Sequence, residues 1–177
     1  MTVSTAIRPS SNEYAPYYDR YISLVTEPNA LEALERQLAE MLPVLRSVSE
    51  AQAGHRYAPG KWSIRQVLGH LIDAERVFAY RALRFARADR TPLPGFDENT
   101  YAEAAGSDRR SLRDLIEEIE LVRRANVAML RGFEEAAWTR IGTANDVEMS
   151  VRALAFVIAG HGCHHTNILK ERYLSAK

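Results

Sequence analysis

The chain has 177 residues, enough for one domain with its own core, and a hydrophobic content of 46% argues against disorder. Its 23 basic side chains balance 23 acidic ones, so nothing draws it globally toward nucleic acid. No apolar run is long enough to span a bilayer, the start lacks a signal-peptide pattern, and a single cysteine, Cys163, has no internal partner. A cytoplasmic protein without a nucleic-acid or membrane partner is expected.

Residues 1–25 carry Tyr14, Tyr17, Tyr18 and Tyr21 in a mixed stretch and read as an irregular arm, with disorder expected over the first ten or so. Residues 26–177 read as one helical domain. Leu31, Leu34, Leu38, Met41, Leu42 and Leu45 recur at steps of three and four, which predicts a helix from about Asn29 to Ser47. Pro43 inside that pattern is expected to kink or shorten it. After a loop at Gly54 to Gly60, Ser63 and Gln66 form a capping box, with Trp62 and Val67 placed as a hydrophobic staple. This second helix is expected to run to about Ala88. Thr91 to Gly95 makes a loop, and Asp97 to Ala105 a short helix.

A third helix is predicted from Ser111 to Gly132, and one further turn at Glu134 to Trp138. Ile141 to Met149 reads as a turn-rich connection with at most a short extended piece, before Ser150 caps a fourth helix over about Val151 to Leu174. Four amphipathic helices imply an all-α four-helix bundle, with the connection between helices 2 and 3 long enough to cross over a bundle end.

His161 and His165 stand one turn apart on the fourth helix, so both project from one face and could share one metal ion. Leu154, Ile158, His161, His165 and Ile168 step by four and three, the spacing of a buried seam. Burying two imidazoles there without partners would cost roughly 1–3 kcal/mol each, which a shared metal removes. His70, one turn from Val67 and Ala74, fits as a third ligand. Gly69 and Gly160, each directly before a histidine, suggest close approach of neighbouring backbone. His164 is rotated about 100° from His165 and reads as a flanking residue, while His55 falls in a loop. No glutamate follows His161 in the way the HExxH proteases require.

The segments Pro59-Gly60-Lys61-Trp62-Ser63, Gly69-His70-Leu71 and His161 to His165, ending in Glu171-Arg172-Tyr173-Leu174, resemble the DinB/YfiT-like metalloenzymes over roughly residues 30–174. The resemblance implies an antiparallel four-helix bundle with His70, His161 and His165 as ligands of one divalent ion (nickel, zinc, iron or manganese). It also implies a homodimer, for which Phe78, Tyr80 and Phe85 look like surplus apolar surface. Relatives of this kind include thiol-dependent S-transferases and hydrolases. The expected function is therefore a metal-dependent enzyme acting on a small molecule, with a low-molecular-weight thiol as a candidate cosubstrate. A non-catalytic metal-binding or stress-related interaction protein is the alternative.

Three neutral imidazoles leave a coordination position open for water or substrate. Asp73, Glu75, Glu148 and Asn167 are candidates to support the ligands, and Asp97, Glu98, Asn99 and Tyr101 to cover the metal. Cys163 points away from the histidine face and is expected to be a packed side chain.

Overall fold

The computed structural model describes residues 6–175. Each long helix begins where the sequence supplies a side-chain oxygen for its free N–H groups. Asn29 Oδ1 accepts from Leu31 N at 2.9 Å and opens α2 (Ala30–Arg46). The Ser63 hydroxyl accepts from Gln66 N at 3.1 Å while Gln66 Oε1 accepts from Ser63 N at 3.1 Å, so the capping box forms and starts α3 (Ile64–Ala86). Ser111 and Ser150 cap α5 (Leu112–Arg131) and α6 (Val151–Ile168) in the same way. Two short helices, α1 (Asp19–Ile22) and α4 (Glu98–Ala104), lie outside this set. Helix α2 continues past Pro43 to Arg46, so the proline does not shorten it. Beyond α6 a π-type turn carries the helical path to Tyr173.

The long helices pack in a closed ring. Both α2 and α3 rest on α5 and on α6, so α2 and α3, neighbours in sequence, face each other across the bundle. The expected all-α fold needs one correction. Residues 141–150 form an antiparallel hairpin of β1 (Ile141–Ala144) and β2 (Val147–Ser150). Asn145 and Asp146 turn it with φ of 52° and 58°, the doubly left-handed turn whose twist matches paired strands. The connection after α3 adds to this unit: Leu93 N donates to Thr143 O at 3.0 Å and Asn145 N to Leu93 O at 2.9 Å.

The described part of the arm, from Ala6, is fixed rather than loose. Ala30 N donates to Ala6 O at 2.8 Å, and Arg8 reaches the carbonyls of Ile22 and Val25. Glu13 pairs with Arg152 at the start of α6. Gly160 explains how the arm docks so closely: a Cβ there would lie 2.0 Å from the Tyr21 carbonyl oxygen. Residues 1–5, where disorder was expected, lie outside the described residues. The aromatic surplus expected to drive dimerisation is mostly internal, since Phe78 and Phe85 are buried in the core and Tyr80 is exposed.

The apolar core divides in two. One cluster joins Ala30–Leu34, Ala74–Ala86 and Val151–Ala159; the other joins Leu38–Leu45, Ile64–Ile72, Leu112–Ile119 and Leu169. Polar side chains lie between them. Arg123 on α5 is bound by both carboxylate oxygens of Glu75 on α3, at 2.7 and 2.9 Å, and by Leu34 O and Gln37 Oε1 on α2 at 2.9 and 2.6 Å. Gln37 in turn lies where a Cβ on Gly162 would be, 2.5 Å from its Cδ, which brings the network against α6 beside His161. Glu75, a candidate to support the metal ligands, is thus the partner of a buried arginine.

Removing one member of a buried ion pair strands the other charge, so Glu75→Ala is expected to cost about 3–5 kcal/mol in denaturant unfolding. The apolar double replacement Glu75→Leu with Arg123→Met is expected to recover most of that loss. A cost under about 1 kcal/mol for Glu75→Ala would show that the pair does not brace the bundle.

Candidate metal centre

His70 sits on α3 and His161 and His165 on α6, and the contact between these helices brings all three rings together. Their centroids form a nearly equilateral triangle with sides of 4.9, 4.9 and 4.6 Å. His161 Nε2 lies 3.1 Å from His70 Nε2 and 3.1 Å from His165 Nε2. One candidate ligand atom from each residue lies within 4.8 Å of the others. A single lone pair on His161 Nε2 cannot accept strongly from both neighbours, and a proton there would satisfy only one of them. A cation accepting all three lone pairs resolves the conflict. Two nitrogens each about 2.0–2.1 Å from one ion stand roughly 3.0–3.4 Å apart, which the two 3.1 Å spacings to His161 match.

Burial keeps the rings neutral, the state a ligand needs. Desolvation lowers the His70 pKa to about 4, opposed by the Glu98 carboxylate. Desolvation, with the nearby His70 and His164, lowers His165 to about 3. His161, the most enclosed, is pushed well below the usual histidine range by burial and by its histidine neighbours. His165 Nδ1 is buried without a protein partner, so no described side chain or carbonyl orients that ring from behind.

The triad forms part of the wall of a cavity of about 540 Å³, within the range that holds small ligands. Trp62 lies 4.8 Å from His70, and Phe78 stands edge-on to His161 at 6.0 Å. The arm supplies Tyr17, Tyr18, Arg20 and Tyr21; the connection after α3 supplies Gly95, Phe96 and Glu98; the hairpin supplies Asn145 and Val147. Glu98 is the one carboxylate among the lining residues. Tyr21 stands edge-on to His161 and His164 at 5.3 and 5.5 Å, and burial with a hydrogen bond to Tyr17 raises its pKa.

Several expectations are located by this geometry. His164 flanks the triad on the cavity wall, and His55 is exposed in its loop. Of the covering residues, Glu98 lines the cavity, whereas Asp97 caps α4 through Thr100 N at 2.7 Å. Asp73, Glu148 and Asn167 are not among the lining residues, and neither is Cys163, whose thiol pKa is raised by burial. The sequence reading missed Arg81, Phe78 and the arm tyrosines as cavity residues. Trp62, read as a staple, also faces the cavity.

A mostly helical bundle with three imidazoles converging beside a small-molecule cavity defines a class of metal-binding proteins. The chain belongs to the DinB superfamily, whose family model matches residues 33–169. A protein of Oceanobacillus iheyensis named "Putative metal-dependent hydrolase" is 27% identical over 73 residues, which span 41% of this chain and 42% of the relative. The chain therefore matches less than half the length of that curated relative. The fold is that of YfiT from Bacillus subtilis, described as a probable metal-dependent hydrolase with an unusual four-helix bundle topology. That structure matches with a TM-score of 0.71 and 19% identity over 96% of this chain and 95% of its own. No helix among the described residues is long and apolar enough to cross a membrane.

The depressed histidine pKa values fix a direction for metal-free protein. The unfolded chain binds protons near pH 6.5 that the folded chain refuses until about 4 at His70 and about 3 at His165. Stability is then full above about pH 6.5 and falls as the pH drops toward 4. Chelator-treated protein is expected to melt at a clearly lower temperature at pH 5 than at pH 7.5. A melting temperature unchanged over that interval would contradict the burial of neutral rings.

Proposed function

We propose that the chain is a metal-dependent hydrolase of small amides or esters, with His70, His161 and His165 holding one divalent ion. The observation that carries this reading is the convergence of three neutral imidazole nitrogens on a cavity with a single carboxylate, Glu98, on its wall. When bound, the ion would supply Lewis-acid polarisation and lower the pKa of water in its open position toward about 7.

The chain's own groups have separate tasks. Glu98, exposed at the start of α4 and close enough to oppose the burial of His70, takes a proton from the attacking water. The water oxygen bonds to the acyl carbon as the C–N or C–O bond breaks, and the proton passes from Glu98 to the leaving nitrogen or oxygen. Trp62, Phe78 and Phe96 exclude bulk water and pack the apolar part of the substrate. Tyr21, kept protonated by its surroundings, offers a hydrogen bond to developing negative charge. Transfer of a low-molecular-weight thiol would use the same open position. The presence of a carboxylate able to relay a proton favours hydrolysis. In the non-catalytic alternative, neither Glu98 nor an open position is required.

Elemental analysis is expected to give one divalent ion per chain. Ala at His70, His161 or His165 abolishes it, and His164→Ala leaves it in place. Glu98→Gln is expected to keep the metal and lower hydrolysis of an amide and ester panel by about 10²–10⁴-fold. Full metal content in His165→Ala would refute the ligand set. Unchanged turnover in Glu98→Gln would remove that residue from the mechanism, and conjugation of a thiol without hydrolysis would make the protein a transferase.

A further inference from the structure

Among the described residues two arginines are buried, and their surroundings differ. Arg123 is 1% exposed and is held by a carboxylate at two points and by two further acceptors. Arg81 is 4% exposed, yet among the described residues its guanidinium makes one hydrogen bond, from Nη2 to Pro94 O at 2.8 Å. No described carboxylate lies within 4.0 Å of it to form an ion pair. A guanidinium keeps its charge, and a buried charge is costly until it meets an opposite one.

The missing anion has a place to come from. Arg81 lines the cavity that holds the histidine triad, and none of its nitrogens is sealed without a partner. It also borders a smaller groove lined by Phe96 and Tyr101, but only the larger cavity is lined by both Arg81 and the histidine triad. Phe78 links the two: its ring centroid is 6.0 Å from that of His161 and 5.9 Å from Arg81 Cζ. The Phe96 ring centroid also lies 6.0 Å from the guanidinium carbon. The head group is therefore held by aromatic rings and by the Pro94 carbonyl, with its remaining N–H groups available as a planar fork. Tyr18, a half-buried phenol whose pKa is raised by desolvation, faces the same charge and can donate beside it.

Charge around the cavity agrees. Its charged lining residues are Arg20, Arg81 and Glu98, beside three neutral imidazoles. A divalent ion on those imidazoles would make the whole space strongly positive, a site for an anion.

We propose that the substrate carries a carboxylate, which binds the Arg81 guanidinium while its amide or ester carbonyl reaches the histidine triad. The substrate class is a small carboxylate-bearing amide or ester, of which an N-acyl amino acid is the simplest form. The planar fork suits a carboxylate held at two points, and because it can grip a phosphate in the same way, methyl phosphate is the competing probe in the test. This assignment rests on the metal-dependent reading of the same cavity.

The test is calorimetric binding of N-acetylglycine and of its uncharged amide, N-acetylglycinamide, to the protein as purified and after chelation, with metal content measured on each sample. N-acetylglycine is expected to bind about tenfold or more tightly than the amide. That preference should vanish in Arg81→Met without change in metal content, and survive in part in Arg81→Lys, which keeps the charge and serves if the first variant fails to fold. The proposal falls if the two probes bind alike, if neither binds, if the preference persists in both variants, or if methyl phosphate outcompetes N-acetylglycine. An Arg81-dependent preference in a protein that holds no metal would leave the anion site standing and overturn the hydrolase reading instead.

Discussion

The structure depends on a polar layer that cuts the apolar core in two. On one side of α6 lie His70, His161 and His165; on another, Gln37, Glu75 and Arg123 lock α2, α3 and α5 together. Gln37 packs at Gly162, between two of the histidines along the helix, so the layer is continuous across the bundle. Such a layer is expensive to bury and stable only when every member has a partner. The arginine network is complete within the protein. The histidine cluster is not, because three lone-pair nitrogens face one another, and that incompleteness is what makes it a place for a cation.

Around this layer the molecule divides its labour. The long helices present the three histidines together with Phe78 and Arg81, while the rest of the cavity wall comes mainly from short elements: the arm, the connection after α3 and the hairpin. The family match begins at residue 33, so Tyr17, Tyr18, Arg20 and Tyr21 lie outside it. The arm reaches the site because Gly160 lets the Tyr21 backbone lie directly on α6. The three histidines fall inside the matched residues, and the arm's cavity side chains before them.

What the sequence revealed follows the range of the interactions involved. Helix starts at Asn29, Ser63, Ser111 and Ser150 were readable because a cap acts over three residues. The His161/His165 pair was readable because a helix fixes its own i, i+4 geometry. His70 required the assumption that two helices meet, which the structure bears out. The hairpin was half-seen, since its turn uses Asn145-Asp146 rather than the stronger Asn-Gly signal. Arg81 and the arm tyrosines gave no sign, because their role arises from segments distant in sequence. Glu75 was misjudged for the same reason: its partner Arg123 is 48 positions away.

The central claim is that three imidazoles and no other protein group hold one ion. Metal-edge X-ray absorption on the protein as purified measures this directly. The account predicts three imidazole nitrogens at about 2.0–2.2 Å with the remaining positions filled by light, non-protein oxygen. A fourth imidazole from His164, a sulfur from Cys163, or the absence of a metal from the purified protein would contradict it.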